Sequence, residues 1–202
     1  MRGISAAVAA LGIGSVAALT QGGPVLAEAP VSEVTGNWAG PGGGGFFFRA
    51  RLEQADDKAN LTIWNGFDAV PAPGGDPDLR VDGFALAAFA TDQHLEVQDT
   101  ADGSVLLVVT GYADEEGEGR EVVQVQFLDN QYTVIGYAHQ DTFFAYDAPP
   151  VVSVCEVDVR AGKVIEDGRT RDLPAMDFEA ANASAWHFGA AYDRGWCSRA
   201  GG

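Results

Sequence analysis

The sequence predicts an all-β fold, an antiparallel meander of eight to nine strands closing into a barrel or sandwich, with one C-terminal helix. Three observations carry this expectation. Residues 104–139 read SVLLVVTGYADEEGEGREVVQVQFLDNQYTVIGYAH, three strand-like runs joined by two sharp turns. Hairpin turn pairs recur, Asp102-Gly103 and Asp129-Asn130 among them, and their side chains tolerate the positive φ of a tight reversal. The hydrophobic period lengthens from two to between three and four only near the end of the chain.

The first 27 residues hold one arginine, an apolar run from Ile4 to Leu19 and then small residues. That is the pattern of a secretory signal peptide, here cut after Ala27, which sends the chain to the periplasm or the external medium. The apolar run is about 16 residues, short of the roughly 20 that span a bilayer, so no membrane span is expected in the mature chain. Residues 28–45 are expected to be a flexible leader ending in a glycine run, 46–172 the antiparallel β-domain, and 173–202 a helical segment packed on it.

Within the β-domain, Phe46, Phe48, Ala50 and Leu52 share one strand face, with Arg49 and Arg51 on the other. Asp56-Asp57 marks a turn, after which Leu61 and Ile63 begin a second inward face. The stretch 66–83 is rich in Gly, Pro and Asp and reads as a long surface loop. Residues 84–90 fit a buried strand or a short helix, with the alternation favouring the strand. Leu95 and Val97 then point inward, and His94, Glu96 and Gln98 outward.

With Asp129-Asn130 as a two-residue loop, Leu128 faces Gln131, Phe127 faces Tyr132, Val125 faces Val134 and Val123 faces Gly136. One face of this hairpin is apolar, while Gln126 with Thr133 and Gln124 with Ile135 occupy the other. A slip of one residue would exchange the two faces. Residues 151–159 form a further strand, and Ala161-Gly162 turns it into a short return strand at 163–165. Beyond it, Phe178, Ala181, Ala185, Phe188 and Tyr192 make a helical stripe, with Asp177 as its cap and Gly189 placed to split it.

The formal charge is −17, and −18 without the first 27 residues. Such a chain repels nucleic acid and anionic membranes and attracts cations or a basic protein surface. The two cysteines, Cys155 and Cys197, predict one disulfide in an exported chain, closing a loop of about 40 residues.

Gly36-Asn37-Trp38, behind a signal segment and ahead of a run of strands, resembles the Gly-x-Trp motif that opens lipocalins and other calycins. A late helix against the strands is similar to that family as well. The resemblance implies an eight-stranded up-and-down barrel, packed at one end and open at the other to a small apolar molecule.

His139 and Asp141 stand two apart on a strand and so share a face, which suits an oriented general base. No Gly-x-Ser-x-Gly nucleophile turn accompanies them. Asp114, Glu116 and Glu118 sit at positions 1, 3 and 5 of a calcium-loop pattern, with Gly119 at 6. Val125 stands where the pattern needs a Glu, so a solvated acidic hairpin tip is expected and no metal. No cofactor is expected either, since the glycine run lacks the Lys-Ser/Thr of a phosphate loop. The function expected is non-catalytic binding of a small or apolar molecule, lined by Trp38, Phe127 and Tyr132. The alternatives are an interaction module of the cell envelope and a hydrolase using His139 and Asp141.

Overall fold

The computed structural model describes residues 31–40, 43–173 and 181–198. Within them, eleven strands form two antiparallel sheets. The smaller sheet runs in chain order through β1 (Val31–Asn37), β2 (Phe46–Ala55), β3 (Lys58–Phe67) and β4 (Leu79–Leu86). The larger begins with β5 (Ala90–Thr100), β6 (Gly103–Ala113), β7 (Gly117–Leu128) and β8 (Gln131–Ala145). It continues through β9 (Ala148–Asp158), β10 (Lys163–Glu166) and β11 (Arg169–Asp172). Each strand pairs with its successor, and the meander breaks only between β4 and β5. The two sheets are arranged as a sandwich, with no closed barrel.

Side chains at alternate positions of both sheets meet between them. Phe48, Leu61, Ile63 and Phe84 enter this core from the smaller sheet, and Leu106, Val108, Val123, Val125 and Val134 from the larger. At one side β1 is tied to the larger sheet by serine side chains: Leu95 N–H of β5 donates to Ser32 Oγ (2.9 Å), and Asn37 N–H donates to Ser104 Oγ of β6 (3.0 Å). The C-terminal segment fills the other side. Asn182 bridges to Thr133 on β8, Phe188 N–H donates to the Gly83 carbonyl on β4 (3.3 Å), and Cys197 is bonded to Cys155 on β9. Trp186 and Trp196 from this segment are buried in the core.

Several expectations are corrected. The eight or nine strands become eleven, because β1 and β11 join the sheets. β1 lies in the segment read as a flexible leader, where Glu33 pairs with both Arg49 and Arg51 across the β2 neighbour and gives polar side chains a reason to line up. The loop at 66–83 is shorter than expected. β3 runs on to Phe67 and β4 begins at Leu79, where Leu79 and Val81 are buried and Arg80 and Asp82 exposed. Residues 84–90 are strand to Leu86, and β5 begins at Ala90 after a turn. Among the described residues the C-terminal helix is not the longer stripe expected from Phe178 to Tyr192 but short, a four-residue α1 (Ala190–Asp193) behind a 3-10 turn at Ala183–Ala185. Gly189 lies between them at φ 85°, a left-handed conformation that no helix carries through. Asp177 and Phe178, expected in that helix, lie outside the described residues.

One correction matters most. Asp129 and Asn130 do form the turn, with φ of 47° and 64°, and Phe127–Tyr132 and Val125–Val134 pair as expected. Beyond them Gly136 faces Gln124 rather than Val123, because Ile135 is an extra residue, a β-bulge. From there on, the odd-numbered residues of β8 face inward: Tyr137, His139 and Asp141.

Candidate functional site

The same bulge creates two sites, one on each face of the larger sheet. On the inner face, β8 places His139 opposite Glu121 of β7 and Cys155 of β9, and Asp141 opposite Gly119. Gly119 in turn faces Tyr112 of β6. Lacking a side chain, it lets the Tyr112 hydroxyl pass over it and donate to Asp141 Oδ1. A Cβ at 119 would lie 2.4 Å from that oxygen and 2.6 Å from the Tyr112 ring. Tyr137 donates to Glu121 Oε2 at 2.9 Å. His139 Nε2 stands 3.8 Å from Asp141 Oδ2, and Tyr192 of α1 brings its hydroxyl to 3.3 Å from His139 Nδ1.

His139 and Asp141 are thus brought together as expected, but beneath the surface. Their side chains are 2% and 10% exposed. Burial pushes Glu121 up to about 7; the Tyr137 hydrogen bond opposes this and the Asp141 charge adds to it. Burial holds the His139 imidazole below its ordinary value, against the pull of Asp141. It also raises the Tyr112 and Tyr137 phenols well above theirs. The cluster is largely buried, although His139 and Tyr112 border a trough on the outer face of the sheet, and Tyr112 and Asp141 border a small recess at the β6–β7 turn. Glu121, Tyr112 and Tyr137 escaped sequence reasoning, although Glu121 shares the inward parity of Val123 and Val125.

On the outer face of the same sheet, the register stacks side chains in rows across β7, β8 and β9. These rows are Glu118–Thr142–Val152, Arg120–Gln140–Val154 and Val122–Ala138–Glu156. Small residues sit in the middle of the face, with Gly111 beside Arg120, Ala138 beside Val122 and Gly136 beside Gln124. A trough results. One part, ≈ 590 Å³, is lined by Val122, Ala138 and Val154 with Arg120, Gln140 and Glu156. A second, ≈ 700 Å³, shares Ala138 and Glu156 and continues over Val105, Ile135 and Ile165 toward Arg160 and Lys163. Its lining is mixed, apolar at Val105, Val122, Ile135, Ala138 and Val154 and polar at Arg120, Gln140 and Glu156. Arg160 and Lys163 have acidic partners in Asp102 and Asp172, whereas Arg120 has no ion pair among the described residues.

The three rings expected to line a ligand pocket also converge. Trp38 stacks on Phe48 (centroids 3.9 Å apart) and meets Tyr132 edge-on at 6.2 Å, while Phe127 meets Tyr132 at 5.1 Å. Their polar ends are tied together, since Trp38 Nε1 donates to Asn65 Oδ1 (3.0 Å) and Asn65 Nδ2 donates to the Tyr132 hydroxyl (2.6 Å). These rings pack against one another, and neither part of the outer trough includes them in its lining.

Asp114 turns its carboxylate back on its own loop, accepting from the backbone N–H groups of Glu116 (2.8 Å) and Gly117 (3.0 Å). Asp114, Glu116 and Glu118 are exposed, as a solvated tip requires. His139, Cys155 and Cys197 bring ligand atoms within 4.8 Å of one another, but both sulfurs are joined in the disulfide. Among the described residues, no helix is long and apolar enough to cross a membrane. Comparison with protein-family models, with curated proteins and with solved structures finds no match.

Proposed function

We propose that this chain is an exported, non-catalytic binding domain that holds a small, largely apolar ligand in the outer trough of its larger sheet. The observation that carries the reading is the trough itself: a volume in the usual range of ligand sites, a strip of apolar side chains at Val122, Ala138 and Val154, and at its rim Arg120, a cation with no ion pair among the described residues. The ligand chemistry follows. Val122, Ala138 and Val154 take a hydrocarbon or aryl body, Arg120 takes a carboxylate, and Gln140 and Glu156 take its hydrogen-bonding groups. The buried position of His139 and Asp141 favours binding over hydrolysis. Export is supported by the signal-like first 27 residues and is consistent with the Cys155–Cys197 bond.

The test is a thermal-shift and calorimetric titration with medium-chain fatty acids and aryl carboxylates. At a ligand concentration about 100 times Kd, the folded state gains about 2.7 kcal/mol. Arg120→Ala and Ala138→Trp should each abolish the shift without altering the unliganded midpoint. No shift with any carboxylate, or a shift that both variants retain, contradicts the reading.

A further inference from the structure

The β8–β9 hairpin projects beyond the sandwich. The inward parity that carries His139 and Asp141 continues to Phe143, but the cover ends, and Phe143 and its cross-strand partner Val151 are 40% and 58% exposed. Phe144 and Val152 are about as exposed, and Tyr146 stands wholly in solvent. Five large apolar side chains exposed over the two faces of one hairpin tip are more than scattered surface residues, and such exposure marks a contact surface.

Its electrostatic surroundings are one-sided. No lysine or arginine occurs between Arg120 and Arg160. Phe144 N–H donates to the Glu116 carbonyl (2.8 Å), which holds the acidic β6–β7 turn alongside the hairpin. Between turn and hairpin lies a recess of ≈ 130 Å³, lined by Tyr112 and Phe143 and by the carboxylate residues Asp114, Glu116, Glu118 and Asp141. Anionic lipid is repelled by this surface, and a cation is drawn to it.

The strand edge offers little to backbone pairing. β10 pairs β9 only from Cys155 to Asp158, and Asp167 satisfies both the N–H and the carbonyl of Val154. Farther out, Pro149 and Pro150 have no N–H to offer, which leaves Val152 as the outward donor on a stretch too short to favour an added strand over docking on side chains.

We propose that the tip of the β8–β9 hairpin docks an apolar segment of another protein that carries arginine or lysine. Its apolar side chains rest on Phe143, Phe144 and Tyr146, and one cation enters the recess at Glu116. Aromatic and arginine anchors of this kind carry most of the energy of protein contacts.

The test is fluorescence anisotropy of a labelled peptide of alternating leucine and arginine, titrated with the full chain. Phe144→Ser with Tyr146→Ser, and separately Glu116→Lys, should each weaken binding at least about tenfold, and salt should weaken it further. All three residues are exposed, so thermal midpoints should stay unchanged. Asp76→Lys, the same charge change in an exposed loop away from the hairpin, should leave the affinity unaltered. Equal losses in Asp76→Lys and Glu116→Lys, or binding that survives the tip variants, overturn the proposal. So does tip-dependent binding to phosphatidylcholine vesicles in place of the peptide, which would make the occupant a lipid surface. A tip-dependent dimer in sedimentation would make it a second copy, with the same consequence.

Discussion

Tyr112 reaches across Gly119 and donates its phenolic hydrogen to Asp141, two strands away. The glycine is what leaves room for this contact. Gly119→Ala would place a methyl group 2.4 Å from the carboxylate and 2.6 Å from the ring. The expected cost is about 1–3 kcal/mol, the range for overpacking a filled interior. Urea unfolding of the variant should show a lowered midpoint, together with loss of the tyrosine near-ultraviolet dichroism. An unchanged midpoint would mean that the strands separate freely at this point.

Stability should depend on pH through Glu121. Its pKa is raised from 4.5 to about 7, so between those values the folded state holds a proton that the unfolded state has released. Stability therefore falls as pH rises from the unfolded pKa to about 7 and is level above it, a loss on the order of 3 kcal/mol. His139 acts with the opposite sign. Its pKa is lowered by burial, so the unfolded state takes up the proton first and stability drops as pH falls below 6.5. Glu121→Gln should remove the first effect and leave the second, so that urea midpoints rise with pH up to about 6.5. If the variant and the parent show the same profile, Glu121 is not the titrating group.

The Cys155–Cys197 bond spans a sequence separation of 42 and ties the C-terminal segment to β9. Replacing both cysteines by serine should destabilise the fold by about 3–4 kcal/mol. Hydrogen exchange should accelerate first at residues 183–197, which contribute Trp186 and Trp196 to the core. Uniform acceleration over both sheets would show instead that the segment and the sheets open as one unit.

The Asp129-Asn130 turn and the alternation beside it made the central hairpin legible from residue types alone as far as Val125–Val134. Ile135 then hid the rest. An apolar residue at a bulge looks like any other strand residue, yet it reverses the facing of everything after it. Read without the bulge, Ala138 and Gln140 belong inside and His139 outside. With it, His139 and Asp141 enter the core while Ala138 and Gln140 help to line the outer trough. The trough was illegible for that reason. β1 and β4 were hidden differently, by polar or glycine-rich composition whose partners, Arg49 and Arg51 for β1, lie elsewhere in the chain. Deleting Ile135 should remove the bulge but keep Gly136 opposite Gln124, His139 opposite Glu121 and Gln140 on the outer face, so the variant should still unfold cooperatively. Loss of cooperative unfolding or of the aromatic dichroism in this variant would show that the bend at the bulge, and not only the register beyond it, is needed.

The most direct test of the binding reading is amide chemical-shift mapping during titration with a medium-chain fatty acid. The account predicts saturable shifts confined to the outer rows, at Arg120, Val122, Ala138, Gln140, Val154 and Glu156, and absent from Arg120→Ala. Shifts centred instead on Trp38, Phe127 and Tyr132 would move the ligand to the aromatic cluster between the sheets, and no saturable shift anywhere would contradict the account.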